Sequence, residues 1–146
     1  LNENIKFIGY LSHIESLNVA GSADLLLLIV GREEKWKSVF TGKVFEYLRL
    51  CKPILALSPK GSVVEELLKE TNRGENFDFS DVDGIEKYIL KMYENWERNS
   101  FEAFELTDSI TRFERKVLTK KLSDIFEELG SREKCKEDMD KKCNNI

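Results

Sequence analysis

Between Phe40 and Leu57 the chain passes from a glycine turn, through one short helix and a two-residue break, into an apolar strand. Val44, Tyr47, Leu48 and Cys51 stand at i, i+3, i+4 and i+7, the spacing of a single apolar helical stripe. Pro53 cannot continue that helix and pushes Lys52 toward an extended conformation. Ile54 to Leu57 is then an unbroken apolar run, as in a parallel strand covered on both faces. Glu46 falls opposite the stripe, facing water or a cleft. Lys43 and the free amides of the first turn stand where the helix dipole favours an anion. An anion at the helix start with a carboxylate one turn on suits a phosphate joined to a ribose.

The alternation extends in both directions. Ile5–Tyr10 reads as a strand ending at a glycine turn, and Ser12 with Glu15 makes a capping box for a helix that Gly21 closes. Asp24–Val30 reads as the strongest strand, apolar on both faces and therefore central. Residues 31–38 are charged and non-periodic, a strand-to-helix loop of the kind that forms the binding edge of a parallel sheet. Ser62 and Glu65 make a second box, for a helix with Val63, Val64, Leu67 and Leu68 inward; Glu75–Phe79 follows as a weaker strand. Asp81 or Asp83 starts a long helix whose apolar face is Ile85, Ile89, Leu90, Met92, Tyr93 and Trp96. A short helix is expected within 101–109. Thr111 and Glu114 then open a last helix, with Phe113, Val117, Leu118, Leu122, Ile125, Phe126 and Leu129 on its stripe, ending at Gly130. Residues 131–146 alternate acid and base with little apolar content and read as a frayed or disordered tail. The expected architecture is α/β: a doubly wound, Rossmann-like and mostly parallel sheet of about four strands with flanking helices over residues 1–130.

Composition narrows the function classes. The 146 residues carry a net charge of −4 and one histidine, which argues against a nucleic-acid surface. No apolar stretch approaches a membrane span, and the first residues do not make a signal peptide. Three cysteines, Cys51, Cys135 and Cys143, form no disulfide framework and no zinc spacing; with no export signal, the expected compartment is the cytoplasm. Neither the dinucleotide glycine fingerprint nor a Walker loop can be traced through the eight glycines. The aromatics at helical spacing, Phe113, Phe126, Tyr93 and Trp96, are expected in the core. His13, at a helix start, reads as a surface residue of the capping region. Strand 24–30 carries its Asp at the wrong end for a receiver domain.

The run Gly42-Lys43-Val44-Phe45-Glu46-Tyr47-Leu48, followed by Lys52-Pro53 and an apolar strand, resembles the donor-binding half of GT-B glycosyltransferases of the family 4 type. The resemblance covers about Asn4 to Leu129. It implies that Glu46 accepts hydrogen bonds from the ribose hydroxyls of a donor nucleotide, a task a carboxylate suits by offering acceptors to two adjacent OH groups. It implies that Thr41, Gly42 and Lys43 hold the donor's β-phosphate, and that Tyr10 and Leu11, after Gly9, lie against the base. Where the family carries a second glutamate touching the transferred sugar, this chain has Ser38, and the loop 31–38 is the candidate to replace it.

The implied reaction transfers a sugar from a nucleoside diphosphate sugar to a glycan or lipid-linked acceptor, with retention and without a metal or other cofactor. The partners implied are the nucleotide sugar and an N-terminal acceptor-binding domain ahead of Leu1, which would make any membrane contact. The domain's first two strands would also precede Leu1, and Ile5–Tyr10 would be its third. The polypeptide alone is therefore expected to transfer nothing and to bind nucleotide weakly, and no catalytic residue is assigned to it. The reading from a different class is a non-catalytic α/β interaction module that has lost donor-sugar recognition.

Overall fold

A computed structural model describes residues 4–100 and 105–143, the latter by backbone alone from 132. The chain divides into two compact units, one ending at Leu106 and the other starting at Thr107. In the first, helix α1 (His13–Gly21) precedes strand β1 (Leu26–Ile29). Helix α2 (Gly42–Arg49), strand β2 (Ile54–Leu57), helix α3 (Val63–Thr71), strand β3 (Gly74–Phe77) and helix α4 (Val82–Glu97) follow.

The three strands form one parallel sheet in the order β1-β2-β3, with Leu26 opposite Ile54 and Ile54 opposite Gly74. The sheet steps one way in sequence order, so right-handed crossovers put α2 and α3 on the same face. That face is the core: Leu28, Ile54 and Ala56 of the sheet meet Val44 and Leu48 of α2 and Val64 and Leu68 of α3, all at most 1% exposed. α4 lies on the other face, where Tyr88 stacks 5.5 Å from Phe77 and its hydroxyl donates to the Ile54 carbonyl at 3.4 Å.

Local signals position these elements as the sequence implies. Ser12 accepts from the Glu15 amide while the Glu15 carboxylate takes the Ser12 amide, a complete capping box. Ser62 caps α3 through the Glu65 amide, and Asn72 ends that helix in the left-handed region at φ 51°. Pro53 separates α2 from β2, its carbonyl accepting from Leu26 at the start of the ladder.

Several expectations are corrected. Ile5–Tyr10 forms no strand: Phe7 is 92% and Tyr10 99% exposed, and among the described residues no ladder partner supports them. A strand is a paired state, so alternation without a partner leaves extended chain. The described sheet thus has three strands rather than about four, and no reversal of strand order. β1 is an edge strand, not a central one, with Leu26 and Leu28 buried but Leu27 and Ile29 more than half exposed. Cys51 is not a core residue. α2 ends before it, it adopts φ 54°, and its sulfur is 3.9 Å from the Arg73 guanidinium, which also donates to the Glu105 carbonyl. α4 buries Tyr88, while Ile89, Leu90, Tyr93 and Trp96 stay about half exposed. Its 16 residues span about 24 Å against strands of about 13 Å, so the stripe overruns the sheet.

In the second unit α5 (Asp108–Thr111) is followed, after three residues, by α6 (Arg115–Cys143). Thr111 belongs to α5, so the expected Thr111–Glu114 capping box does not open α6. The expected helix within 101–109 falls partly on 101–104, outside the described residues, and the observed one starts at Asp108. The stripe of Leu118, Leu122, Ile125, Phe126 and Leu129 is half-exposed rather than core, and Phe113 carries the Arg112 guanidinium 4.6 Å from its ring centre. α6 passes through Gly130 to Cys143, where a frayed tail is expected. One glycine costs a helix about 1 kcal/mol and does not end it when the following Glu, Lys and Arg are good helix formers.

Tyr88 gives the first unit a distinct alkaline limit. Burial, with a smaller contribution from the Glu75 carboxylate, pushes its phenol from 10.0 up to about 12. The folded value exceeds the unfolded one, so this contribution is complete below pH 10 and lost as pH rises through 12. Tyr88→Phe is expected to lose less stability than the parent chain between pH 8 and pH 11, by about 1 kcal/mol, in urea unfolding at both pH values.

Candidate functional site

The long connection from β1 to α2 supplies the carboxyl-end edge of the sheet. It contains a 3₁₀ turn at Glu34–Ser38. Gly31 lies close under Trp36, and Lys35 is 5.7 Å from that ring's centre. Ion pairs Lys35–Glu33 at 2.6 Å and Lys37–Glu34 at 2.8 Å use up most of the turn's charge locally. Arg32 reaches across to the Phe79 ring at 4.9 Å. Phe40 then packs on Phe45 with ring centres 5.6 Å apart, fixing the entry to α2.

At the tip of α2, Thr41 is the N-cap with extended φ and ψ, but its hydroxyl does not cap the helix. Its Oγ1 is buried and has no hydrogen-bond partner among the described residues. Helix geometry leaves the amides of Gly42 and Lys43 without an intrahelical acceptor. A Cβ built at Gly42 would meet nothing within 4 Å, so the tip is open. Val44 and Leu48 anchor the inner side of α2 at 0% and 1% exposure, and Glu46 lies on its outer part with 38% of its side chain exposed. Glu46 is therefore not sealed in a buried ion pair. Its Oε1 is 3.8 Å from Nε2 of His13, in the first turn of α1, whose side chain is 67% exposed.

Next to this edge, Ser58 follows β2 and is fully buried. Its hydroxyl meets the Ser62 hydroxyl at 2.7 Å and donates to Asn76 Oδ1 at 2.7 Å, while Asn76 Nδ2 donates back to the Ser58 carbonyl. The network ties the ends of β2 and β3 to the start of α3. Its polar groups are spent on one another. Glu65, which takes the Gly61 amide at 2.7 Å, has its carboxyl held below the usual range, first by the Lys69 ammonium at 2.5 Å.

No family model, curated protein or solved structure matches this chain.

The structure brings Thr41, Gly42, Lys43 and Glu46 together on one short helix, as their spacing requires. Ser38 is exposed at the end of the 3₁₀ turn, Tyr10 projects into solvent, and Leu11 is half-buried just ahead of α1. No sequence spacing joins His13 to Glu46, because α1 and α2 are separated by a strand and a long loop. The only local signal was the position of His13 one residue after the Ser12 cap. Among the described residues no three His, Cys, Asp or Glu side chains converge as metal ligands, and no helix is long and apolar enough to cross a membrane. An open apolar cleft of about 340 Å³ lies between α4 and the amino end of β1, lined by Asp24, Leu25, Ile89, Met92, Tyr93 and Trp96. It is at the opposite end of the sheet from the α2 tip.

Proposed function

We propose that this chain is a nucleotide-sugar-binding domain of a GT-B glycosyltransferase. The observation that carries the reading is the open first turn of α2 at the carboxyl-end edge of a parallel sheet, with the solvent-reaching Glu46 carboxylate one turn on. The Gly42 and Lys43 amides, the helix dipole and the Lys43 charge would bind a diphosphate, and Glu46 would accept from ribose hydroxyls. Tyr10 and Leu11 would border the base, and Ser38 the sugar. In this reading the transferase chemistry is metal-independent, with fixed positive groups offsetting the leaving diphosphate, and an acceptor-binding domain completes the enzyme.

The absence of a carboxylate at Ser38 favours the second reading, an α/β interaction module without sugar transfer. Calorimetry with UDP, GDP and ADP, and with the matching nucleosides, separates the two. Saturable binding of at least one diphosphate, weakened when the phosphates are removed, supports the donor site. Silence with all three diphosphates overturns the donor-site reading.

A further inference from the structure

Glu46 has a polar neighbour on another element. The 3.8 Å between His13 Nε2 and Glu46 Oε1 is within ion-pair reach but longer than a direct hydrogen bond, which spans about 2.7–3.2 Å. An oxygen about 2.8 Å from each atom fits beside the line that joins them. A hydroxyl there satisfies both sides: its O–H donates to the carboxylate, and its lone pair accepts from an N–H at Nε2. A carbonyl has no proton for Glu46, and an ammonium has no lone pair for His13. The pair therefore selects a group that is donor and acceptor at once.

We propose that His13 is a specificity-determining residue that, with Glu46, clasps a single hydroxyl of the ligand's ribose. This rests on the donor-site reading above. His13 is suited to the task because the Ser12–Glu15 capping box fixes the turn that carries it, while its side chain remains 67% exposed. An exposed pair of this kind contributes little to stability, so its removal leaves the fold intact.

The test takes whichever of UDP, GDP and ADP binds the parent chain most tightly, with its 2′-deoxy and 3′-deoxy forms. Each is titrated into the parent chain, His13→Ala, His13→Gln and Glu46→Ala, with melting curves to show that each variant is folded. The parent should bind one deoxy form about tenfold to a hundredfold more weakly than the ribonucleotide, because the bond to the Glu46 carboxylate goes with the hydroxyl. His13→Ala, which removes only the neutral N–H bond, should bind the ribonucleotide about threefold to tenfold more weakly and lose part of the discrimination. His13→Gln, which keeps an N–H donor, should recover part of it. A His13→Ala chain that discriminates as the parent does, while Glu46→Ala does not, overturns the role of His13 and leaves the donor site standing. No binding of any nucleotide by the parent overturns both.

Discussion

Glu46→Ala is expected to weaken nucleoside diphosphate binding by about tenfold to a hundredfold while leaving the melting temperature nearly unchanged. A hydrogen bond to a charged acceptor contributes about 1.5–3 kcal/mol, and each 1.4 kcal/mol is tenfold in affinity. The fold should not notice the change. Glu46 lies outside the buried Val44–Leu48 side of α2, its side chain is 38% exposed, and alanine is the best helix former. Glu46→Gln keeps the shape and one acceptor but loses the charge, so its loss should be smaller. Calorimetry with UDP, GDP and ADP reads the affinity, and circular dichroism reads the melt. Unchanged affinity in Glu46→Ala, with the parent chain binding, would remove the ribose role from this carboxylate. A large drop in melting temperature would instead make it a structural residue.

What could be read from the sequence follows from how local each signal is. Pro53 fixes the break between α2 and β2 because its ring acts on its own neighbours, and β2 begins at Ile54 as expected. The Ser12 and Ser62 caps act over three residues and were equally legible. Strand position is different. Leu25–Val30 is apolar throughout, which suits a central strand, but whether both edges are paired depends on other segments; β1 pairs only with β2 among the described residues. Ile5–Tyr10 fails for the same reason, since a favourable alternation does not create a neighbour. Cys51 continued the helical stripe by spacing, yet the helix ended first, because the chain had to turn into Pro53. In the site, residues of one helix were legible together, whereas the approach of His13 to Glu46 depends on the packing of two helices distant in sequence.

Gly74→Ala is expected to be the most damaging single methyl group in the first unit. Gly74 opens β3 opposite Ile54, the fully buried first residue of the middle strand. Its φ of 154° is one that residues with a Cβ rarely adopt, and a Cβ built there would lie 1.9 Å from the Ile54 carbonyl oxygen. The obstacle is backbone, and it cannot rotate away. The Ile54 amide donates to the Arg73 carbonyl at 2.8 Å, and the Ile54 carbonyl accepts from Tyr88, so moving Ile54 breaks the ladder on one side and the α4 contact on the other. Moving β3 instead pulls Asn76 from Ser58 and opens the network at the carboxyl end of the sheet. The expected loss is about 3–5 kcal/mol, a large share of a domain's total stability. Urea unfolding should show a lowered midpoint or a chain already unfolded in buffer. Gly42→Ala provides the contrast: a Cβ there meets nothing, so the same added methyl at the tip of α2 should change stability by less than about 1 kcal/mol. Equal, small effects at both positions would mean that β3 does not pair with β2 in this register.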